Sequence, residues 1–317
     1  MWWLPAPRMN SIRAIILTLV SAILFAAMSA LVRYVGEVVP VGQVVFFRAA
    51  FAIVPVVIVY AWRGELINAV RTRRPLGHLG RGMFSICGMF LNFASLARLP
   101  VVDATAFSFS SPLITVALSA MFLKERVRLY RWSAVFVGFA GIIVMLWPHL
   151  DLSRYSGLVL SASALGALLA ILAAFFNAGA VIQTRRLTDS ETTPSIVFYF
   201  SLICALAGLA TWPLGWHRPD AIQLAALIAT GILGGVAHLV LTESYRHAPA
   251  SLVAPFGYTS MLWALIFGYL MFGEVPMPLV FVGAAIVAGA GLFVIFRERQ
   301  LGLRRQQQEA EGPPGTP

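Results

Sequence analysis

Long apolar stretches separated by short polar connections dominate the chain. Ten stretches can be marked, and most approach the roughly 20 residues that a helix needs to cross about 30 Å of hydrocarbon. They lie at about 13–33, 41–62, 79–98, 101–122, 131–148, 157–183, 194–214, 221–244, 251–272 and 278–296. This pattern predicts an all-α membrane protein with ten transmembrane helices. The short connections leave no room for a soluble catalytic domain.

An internal repeat relates the two halves of the chain. Residues 94–125 align with 243–274 at an offset of 149, and 22–34 align more weakly with 174–186 at an offset of 152. Aligned pairs include Ser95 with Ser244, Phe107 with Phe256, Phe109 with Tyr258, Glu125 with Glu274, Phe47 with Tyr199 and Arg33 with Arg185. Five spans in each half is an odd number. The repeats are therefore predicted to be inverted, an architecture of transporters.

The repeat also divides the chain into segments. We predict a first repeat over 12–148 and a second over 157–297, preceded by an N-terminal segment at 1–11. The polar tail at 298–317, rich in Gln, Gly and Pro, is predicted to be disordered.

Composition and charge placement agree with this interpretation. Of the residues, 59% are hydrophobic and 11% are charged, and the mean hydropathy is +0.83. With the N-terminus inside, the cytoplasmic loops hold 17 of the 23 Lys and Arg residues. This bias follows the positive-inside rule and places both termini in the cytoplasm. The net charge of +10 is therefore a topology signal that favours anionic lipids as neighbours over nucleic acid.

Three smaller features bear on processing and redox chemistry. Arg8 and Arg13 precede the first apolar run as in a signal peptide, but the run has span length and is interpreted as a retained helix. Met9 is an alternative start to Met1. Two cysteines, one in each half, predict small packing residues without a disulfide framework.

Two segments carry a family resemblance. The segment 99–127, with Ser-Ser-Pro at 110–112 and Leu-Lys-Glu-Arg at 123–126, resembles the signature of EamA-type drug/metabolite transporters. The segment 255–274 is similar to the weaker second copy of that signature, although Gly273 stands where the first copy has a lysine. The resemblance covers about 12 to 297.

The resemblance implies a carrier of the bacterial inner membrane. Cargo classes reported for EamA-like carriers include amino acids, vitamins such as riboflavin, S-adenosylmethionine and drugs. A planar vitamin such as riboflavin, taken up, is the leading expectation. An amino-acid or drug exporter of the same family is the alternative.

Charged and titratable side chains inside the spans are costly, so each requires a reason. Arg48 lies near the middle of the second span and is either a substrate-binding cation or a structural arginine; both interpretations stay open. For Arg81, nearer a membrane face, a structural role is favoured. His238 is a candidate proton carrier, but a neutral histidine bonded to another helix is favoured. Glu243 is its candidate companion.

Other polar and aromatic residues complete the predicted substrate site. Asn92 and Asn177 can bind a ligand or hydrogen-bond between helices. Phe109, Tyr199 and Tyr258 offer stacking surfaces for a planar cargo, although most membrane aromatics are ordinary packing.

Helix-breaking prolines point to the same region. Pro112 and Pro255 are predicted to kink the fourth and ninth spans by freeing the carbonyls of Ser108 and Ser251. Interrupted helices in both halves commonly flank the central site of inverted-repeat carriers.

Acidic residues are expected at span ends. Glu125 and Glu274 occupy equivalent ends and act either as gating acids or as partners of basic residues; for Glu125 pairing is favoured. Asp103 is expected to cap the fourth helix. The central portions of the spans contain no carboxylate, which leaves exchange, facilitated diffusion or coupling through His238.

The motifs of other function classes are missing from the sequence. The single lysine, Lys124, follows no glycine-rich phosphate loop, and no His-Glu-x-x-His motif occurs. We therefore expect no catalytic residues, cofactor or metal. The predicted partners are a small-molecule substrate and membrane lipids, with a homodimer left open and nucleic acid excluded. An intramembrane enzyme acting on a lipid-linked substrate is the rival class.

Overall fold

The structure is a computed structural model. It describes residues 11–122, 129–149, 161–187, 190–248, 253 and 256–310. Several predictions concern residues that lie outside these ranges: the start at Met1 or Met9, Lys124, Glu125 and Pro255.

Within the described residues, the first half contains seven α-helices. They are α1 (Ser11–Gly36), α2 (Val41–Trp62), α3 (Leu66–Val70), α4 (Pro75–Leu96), α5 (Val101–Ser108), α6 (Ser110–Phe122) and α7 (Leu129–Leu146). A 3-10 turn at Trp147–His149 follows α7.

Five α-helices are given with their bounds in the described part of the second half. They are α8 (Ala162–Leu187), α9 (Thr193–Leu209), α10 (Ala221–His247), α11 (Ser260–Phe272) and α12 (Pro278–Ala310). A 3-10 turn at Trp212–Leu214 follows α9.

These helices confirm the predicted membrane architecture. Within the described ranges, nine helical segments are long and apolar enough to cross a membrane, and α11 is a shorter apolar tenth. One of the nine combines α5 and α6 as Val101–Leu118. No strand occurs in the part of the chain that the structure describes. Helices suit this environment because each satisfies its own backbone hydrogen bonds in lipid.

The fourth span is broken at Phe109, between α5 and α6. The break lies just before Pro112, which has no backbone N–H to donate. Nearby hydroxyl groups take up two carbonyls: Ser108 donates to the Thr105 carbonyl, and Ser110 donates to the Phe107 carbonyl. The break is therefore a feature of the sequence itself.

Helix packing follows an approximate twofold symmetry. The repeat relates α1 to α8, α2 to α9, α4 to α10, α5 and α6 to α11, and α7 to α12. The contacting pairs obey this relation, because α1 packs on α10 as α8 packs on α4. The pairs α2–α9, α5–α11 and α7–α12 each join a helix to its own equivalent. The two halves therefore face each other across one axis.

Glycine contacts repeat this symmetry at the level of single residues. Gly82 and Gly231 are equivalent at the offset of 149. Gly82 on α4 faces Ile203 on α9, and Gly231 on α10 faces Phe51 on α2. Each glycine thus lets its helix approach the second helix of the other half, as small residues do in membrane packing.

The end of the chain differs from the prediction. A disordered tail was expected from residue 298, but α12 continues to Ala310. Residues 298–310 contain Glu, Arg, Gln, Leu and Ala, which are good helix formers, and no proline occurs there. The structure therefore describes 298–310 as helix, whereas 311–317 lies outside the described residues.

Candidate functional site

Two equivalent residues meet at the centre of the molecule. Arg48 on α2 and Phe200 on α9 are related by the repeat offset of 152. The Arg48 guanidinium lies 5.6 Å from the centre of the Phe200 ring, a cation–π contact. Two symmetry-related residues that touch must lie beside the symmetry axis. Arg48 and Phe200 therefore mark the axis, on which the two repeats differ in chemistry.

Arg48 is buried and only partly satisfied. Its exposed fraction is 4%. Its Nη2 lies 3.1 Å from Nε2 of His238 on α10. Its Nη1 is buried and has no hydrogen-bond partner among the described residues. The guanidinium thus retains unused donors inside the protein.

The contact with Arg48 fixes the protonation of His238. Arginine only donates hydrogen bonds, so Nε2 of His238 must accept this bond and carries no proton. The ring is held on a second side by Phe25 on α1, whose centroid lies 4.9 Å away. The geometry favours a neutral histidine bonded to another helix. Glu243, its candidate companion, lies 3.5 Å from His247, one turn along α10.

A second guanidinium approaches the same ring. The Arg81 guanidinium on α4 lies 4.9 Å from the centre of the Phe200 ring. Its Nε donates to Thr184 Oγ1 at 2.6 Å, and its Nη1 donates to the Ile196 carbonyl at 3.2 Å. These bonds give Arg81 the structural contacts expected from the sequence. They also hold a second positive charge beside Phe200.

No acid balances these two charges within the described chain. The described ion pairs include neither Arg48 nor Arg81. The site is therefore a buried, positively charged cluster in which both guanidinium groups contact the ring of Phe200.

A second pair of equivalent residues also meets on the axis. The rings of Phe109 and Tyr258 lie 4.8 Å apart at an angle of 59°. Phe109 occupies the break between α5 and α6, so the interrupted span places an aromatic ring at the repeat interface. Two of the three predicted stacking residues, Phe109 and Tyr258, thus belong to one cross-repeat contact, separate from the Arg48–His238 pair.

The remaining predicted site residues lie elsewhere. Asn177 on α8 packs against Gly88 on α4, and Asn92 is half-buried on α4. Neither asparagine forms a hydrogen bond with another described residue. Tyr199 donates its hydroxyl to the Val70 carbonyl at 2.8 Å and stacks beside His78. The structure therefore does not unite these three residues with Arg48.

One end of the helix bundle is closed by a network around Glu274, here called the Glu274 network. Glu274 Oε1 accepts from Arg33 Nε at 3.2 Å, and Oε2 accepts from the Val101 N–H at 2.9 Å. Arg33 also donates to the Ala97 carbonyl at 3.1 Å. Glu274 follows α11, so the network ties the second repeat to the ends of α1, α4 and α5. The alternative of pairing is realised for Glu274.

The other end of the bundle holds the Glu191 network. Glu191, between α8 and α9, accepts bonds at Oε1 from the N–H groups of Arg73 and Arg74, each at 2.7 Å, and from the Thr72 hydroxyl at 3.0 Å. His78 lies 3.5 Å from Oε2. Burial raises the pKa of Glu191, but these hydrogen bonds together lower it below its ordinary value. A carboxylate of the second repeat thus stays ionised against the first repeat.

Comparison with known proteins identifies the chain. The model of the EamA-like transporter family matches residues 12–147 and 164–297, one copy in each half. The chain belongs to the EamA-like transporter family. The two matched regions coincide with the two sets of five spans, so the family and the observed packing divide the chain at the same place.

Three relatives of this EamA transporter carry names that describe cargo. A Rickettsia felis protein named S-adenosylmethionine uptake transporter is 29% identical, with 92% of this chain and 95% of that protein covered. A riboflavin transporter of Rhizobium johnstonii is 30% identical, with coverage of 77% and 76%. The pseudopaline exporter CntI of Pseudomonas aeruginosa is 28% identical, with coverage of 87% and 93%. The chain is thus a metabolite transporter rather than an enzyme.

The sequence analysis of this EamA transporter named Asp103 but missed its partner, His149. Asp103 was expected to cap the fourth helix, but Pro100 occupies the cap position of α5 without a side-chain bond. The Asp103 carboxylate instead lies 3.3 Å from Nε2 of His149, and both side chains are buried. The correction has a simple cause: His149 ends the fifth span and is far away in sequence. A histidine at the end of an apolar run was the available signal.

The described residues contain no metal-binding cluster, meaning no group of three or more His, Cys, Asp or Glu side chains. Several other charged groups form ion pairs between helices, whereas Arg48 and Arg81 form none among the described residues.

Proposed function

We propose that this EamA transporter is a secondary carrier that moves a small, planar organic metabolite by alternating access. The proposed location is the bacterial inner membrane, with both termini in the cytoplasm. The Lys and Arg bias of the loops supports this orientation. The inverted five-helix repeats support alternating access, because a site between such halves can open to either side.

The contact between Arg48 and Phe200 is the observation that carries this proposal. The two residues are equivalent, lie on the repeat axis and differ in charge. A site on the axis stays at the interface while the halves rock, so a cargo bound there is accessible from either face in turn. The proposed site comprises Arg48, Phe200 and His238, with Phe109 and Tyr258 as a second aromatic contact on the same axis.

The proposed cargo is planar and bears oxygen acceptors. The free Nη1 of Arg48 offers donors to carbonyl, carboxylate or phosphate oxygens. The neighbouring aromatic rings offer surfaces against which a flat ring can stack. Riboflavin, taken up, is the reference compound of this class, and relatives named for riboflavin and S-adenosylmethionine transport support a ring-bearing cargo.

The direction of transport remains part of the proposal. The relatives include both an uptake transporter and an exporter, so the fold serves either direction. Nε2 of His238 is an acceptor for Arg48, and a proton there would break this bond. Exchange or facilitated diffusion is therefore favoured over proton coupling through His238.

Flux measurements in vesicles test the proposal. Purified protein is reconstituted into lipid vesicles, and the accumulation of riboflavin is followed by fluorescence with and without riboflavin loaded inside. We expect exchange in the wild type and a loss of about tenfold or more in Arg48→Gln, because a charge-assisted hydrogen bond contributes about 1.5–3 kcal/mol.

A matched control separates this effect from a general loss of positive charge. Arg63 is exposed just after α2, so Arg63→Gln should retain the wild-type flux. S-adenosylmethionine and amino acids are measured alongside riboflavin as alternative cargo. The proposal would be contradicted if none of these compounds showed a flux above that of empty vesicles. It would also be contradicted if Arg48→Gln and the wild type showed equal flux.

A further inference from the structure

The charge balance around Phe200 narrows the class of cargo. Two guanidinium groups, those of Arg48 and Arg81, lie 5.6 Å and 4.9 Å from the same ring centre. They belong to different helices, α2 and α4. Both approach a ring of the other half, so the two charges converge at the repeat interface.

Neither charge is neutralised by a carboxylate of the residues that the structure describes. No described carboxylate forms an ion pair with either arginine, and His238 contributes only a neutral acceptor. Burying a charge without a counter-charge is strongly unfavourable, both inside proteins and within the membrane. Ring contacts offset only part of that cost, because the aromatic quadrupole is weak compared with a full negative charge.

The unused donors lie on the same guanidinium. Arg48 is 4% exposed, and its Nη1 has no partner within the described residues. A buried polar group without a hydrogen bond is rare and costly in a native structure. Since arginine forms two parallel bonds with carboxylate or phosphate, these donors match an oxyanion.

Hydrogen bonds to two neighbouring helices fix the position of Arg81. Thr184 on α8 and the Ile196 carbonyl on α9 fix its Nε and Nη1. An arginine held by two neutral acceptors retains its full charge. Its guanidinium therefore contributes a fixed positive potential beside Phe200, instead of being neutralised locally.

We infer that this site selects an anionic cargo, with the carboxylate or phosphate group bound by Arg48 and attracted by Arg81. The inference rests on the proposed carrier function and deepens it, because it specifies the charge of the planar metabolite. Both guanidinium groups contact the ring of Phe200, and the uncharged ring leaves the potential around it positive. An uncharged flavin satisfies the stacking contacts but not this potential.

Matched pairs of compounds test the inference by thermal unfolding of the purified protein in detergent. Nicotinate is compared with nicotinamide, and flavin mononucleotide with riboflavin. Each pair shares a ring system and differs in an anionic group; the first pair tests a carboxylate and the second a phosphate. We expect the anionic member of at least one pair to half-saturate the shift at about tenfold lower concentration or less than its neutral partner.

Variants connect the preference to the two arginines. Arg48→Gln and Arg81→Gln should each bind the two members of the responding pair with similar strength, whereas exposed Arg63→Gln should retain the wild-type preference. Arg81→Lys keeps the charge and should preserve much of the preference, which guards against a variant that fails to fold.

Two results would overturn the inference. One is that neither anionic compound is preferred over its neutral partner by the wild-type protein; the other is that the preference survives unchanged in both glutamine variants. The carrier proposal is judged separately by vesicle flux. Riboflavin exchange without a preference for the anionic compounds would support the carrier proposal and refute the anionic site. Binding that prefers the anionic compounds, without any flux, would support the anionic site and refute the carrier proposal.

Discussion

Glu191 shows how a single carboxylate can join the two repeats. It accepts three hydrogen bonds at Oε1 from the segment before α4, and its side chain is only 2% exposed. Two of the donors are backbone N–H groups, so the contact does not depend on the charge of a partner side chain. Ionised Glu191 can accept all of these bonds. The protonated acid carries an O–H group, which would face hydrogen-bond donors instead of an acceptor.

The lowered pKa of Glu191 predicts a pH dependence of stability. A carboxyl whose pKa is lower in the folded state stabilises above its unfolded value, here 4.5, and loses this contribution as the pH falls through the folded value. Glu191→Gln should therefore unfold at a lower temperature than the wild type at pH 7. The difference should shrink below about pH 4.5. Thermal unfolding measured from pH 7 to pH 3.5 follows both proteins.

Glu65 provides the control for this measurement, because it is an exposed glutamate in the turn before α3. Glu65→Gln should leave the unfolding temperature close to that of the wild type at every pH. A difference between Glu191→Gln and the wild type that is constant with pH would show that ionisation of Glu191 contributes nothing.

At the residue scale, the sequence identified candidates but not their partners. Arg48 and His238 were singled out because charged groups are rare in spans, and they proved to contact each other. Asp103 was misassigned because its partner, His149, lies on another helix. A polar residue in an apolar run indicates that its side chain contacts another polar group. Which group that is depends on tertiary packing, and the local sequence pattern does not contain this information.

At the element scale, the Glu274 network links helices of both repeats at one end of the bundle. Arg33 ends α1 and Glu274 follows α11, and their side chains are 18% and 11% exposed. Arg33 also faces Glu37, one turn along the chain, whose side chain is 55% exposed. The same arginine thus has one sheltered partner in the other repeat and one partner in solvent.

A double-mutant cycle should separate these two partners. For Arg33→Gln with Glu274→Gln we expect a coupling free energy of unfolding between about 0.5 and 3 kcal/mol, since the pair is sheltered and contacts directly. For Arg33→Gln with Glu37→Gln we expect about 0.3–0.5 kcal/mol, as for exposed helical pairs. Denaturation of the four proteins in each cycle supplies both values. Equal couplings would mean that the cross-repeat pair is no stronger than a surface pair.

The elements themselves were largely predictable from the apolar pattern. Ten stretches were expected, and the structure has nine span-length segments and the shorter α11. The break at Phe109 follows from Pro112, which removes a backbone donor whatever the surroundings. The small helix α3 and the extension of α12 to Ala310 were not anticipated. Helix α3 is only five residues long, too short to form a span-length apolar stretch, and the extension of α12 lies in polar sequence next to a span.

At the scale of the whole molecule, symmetry and chemistry diverge. The helices obey the twofold relation closely enough that Arg48 meets its equivalent Phe200, and Phe109 meets Tyr258. The backbone arrangement is therefore common to both repeats. Side chains at equivalent positions differ, and on the axis this difference brings the charge of Arg48 into contact with the ring of Phe200.

The two equivalent glycines offer a test of how far the symmetry extends to packing. A Cβ at Gly82 would meet Ile203 Cγ2 at 2.7 Å, and this methyl group belongs to a side chain that can rotate. A Cβ at Gly231 would meet Phe51 Cβ at 2.4 Å and the Phe47 carbonyl oxygen at 2.8 Å, so relief requires the α2 backbone to move. We expect Gly231→Ala to lower the unfolding temperature clearly more than Gly82→Ala, because rigid overpacking costs about 1–3 kcal/mol. Thermal unfolding of the two variants under the same conditions makes the comparison. Equal decreases in the unfolding temperature would show that α2 and α9 accommodate the added methyl group equally well. The difference between the two glycine contacts would then have no effect on packing energy.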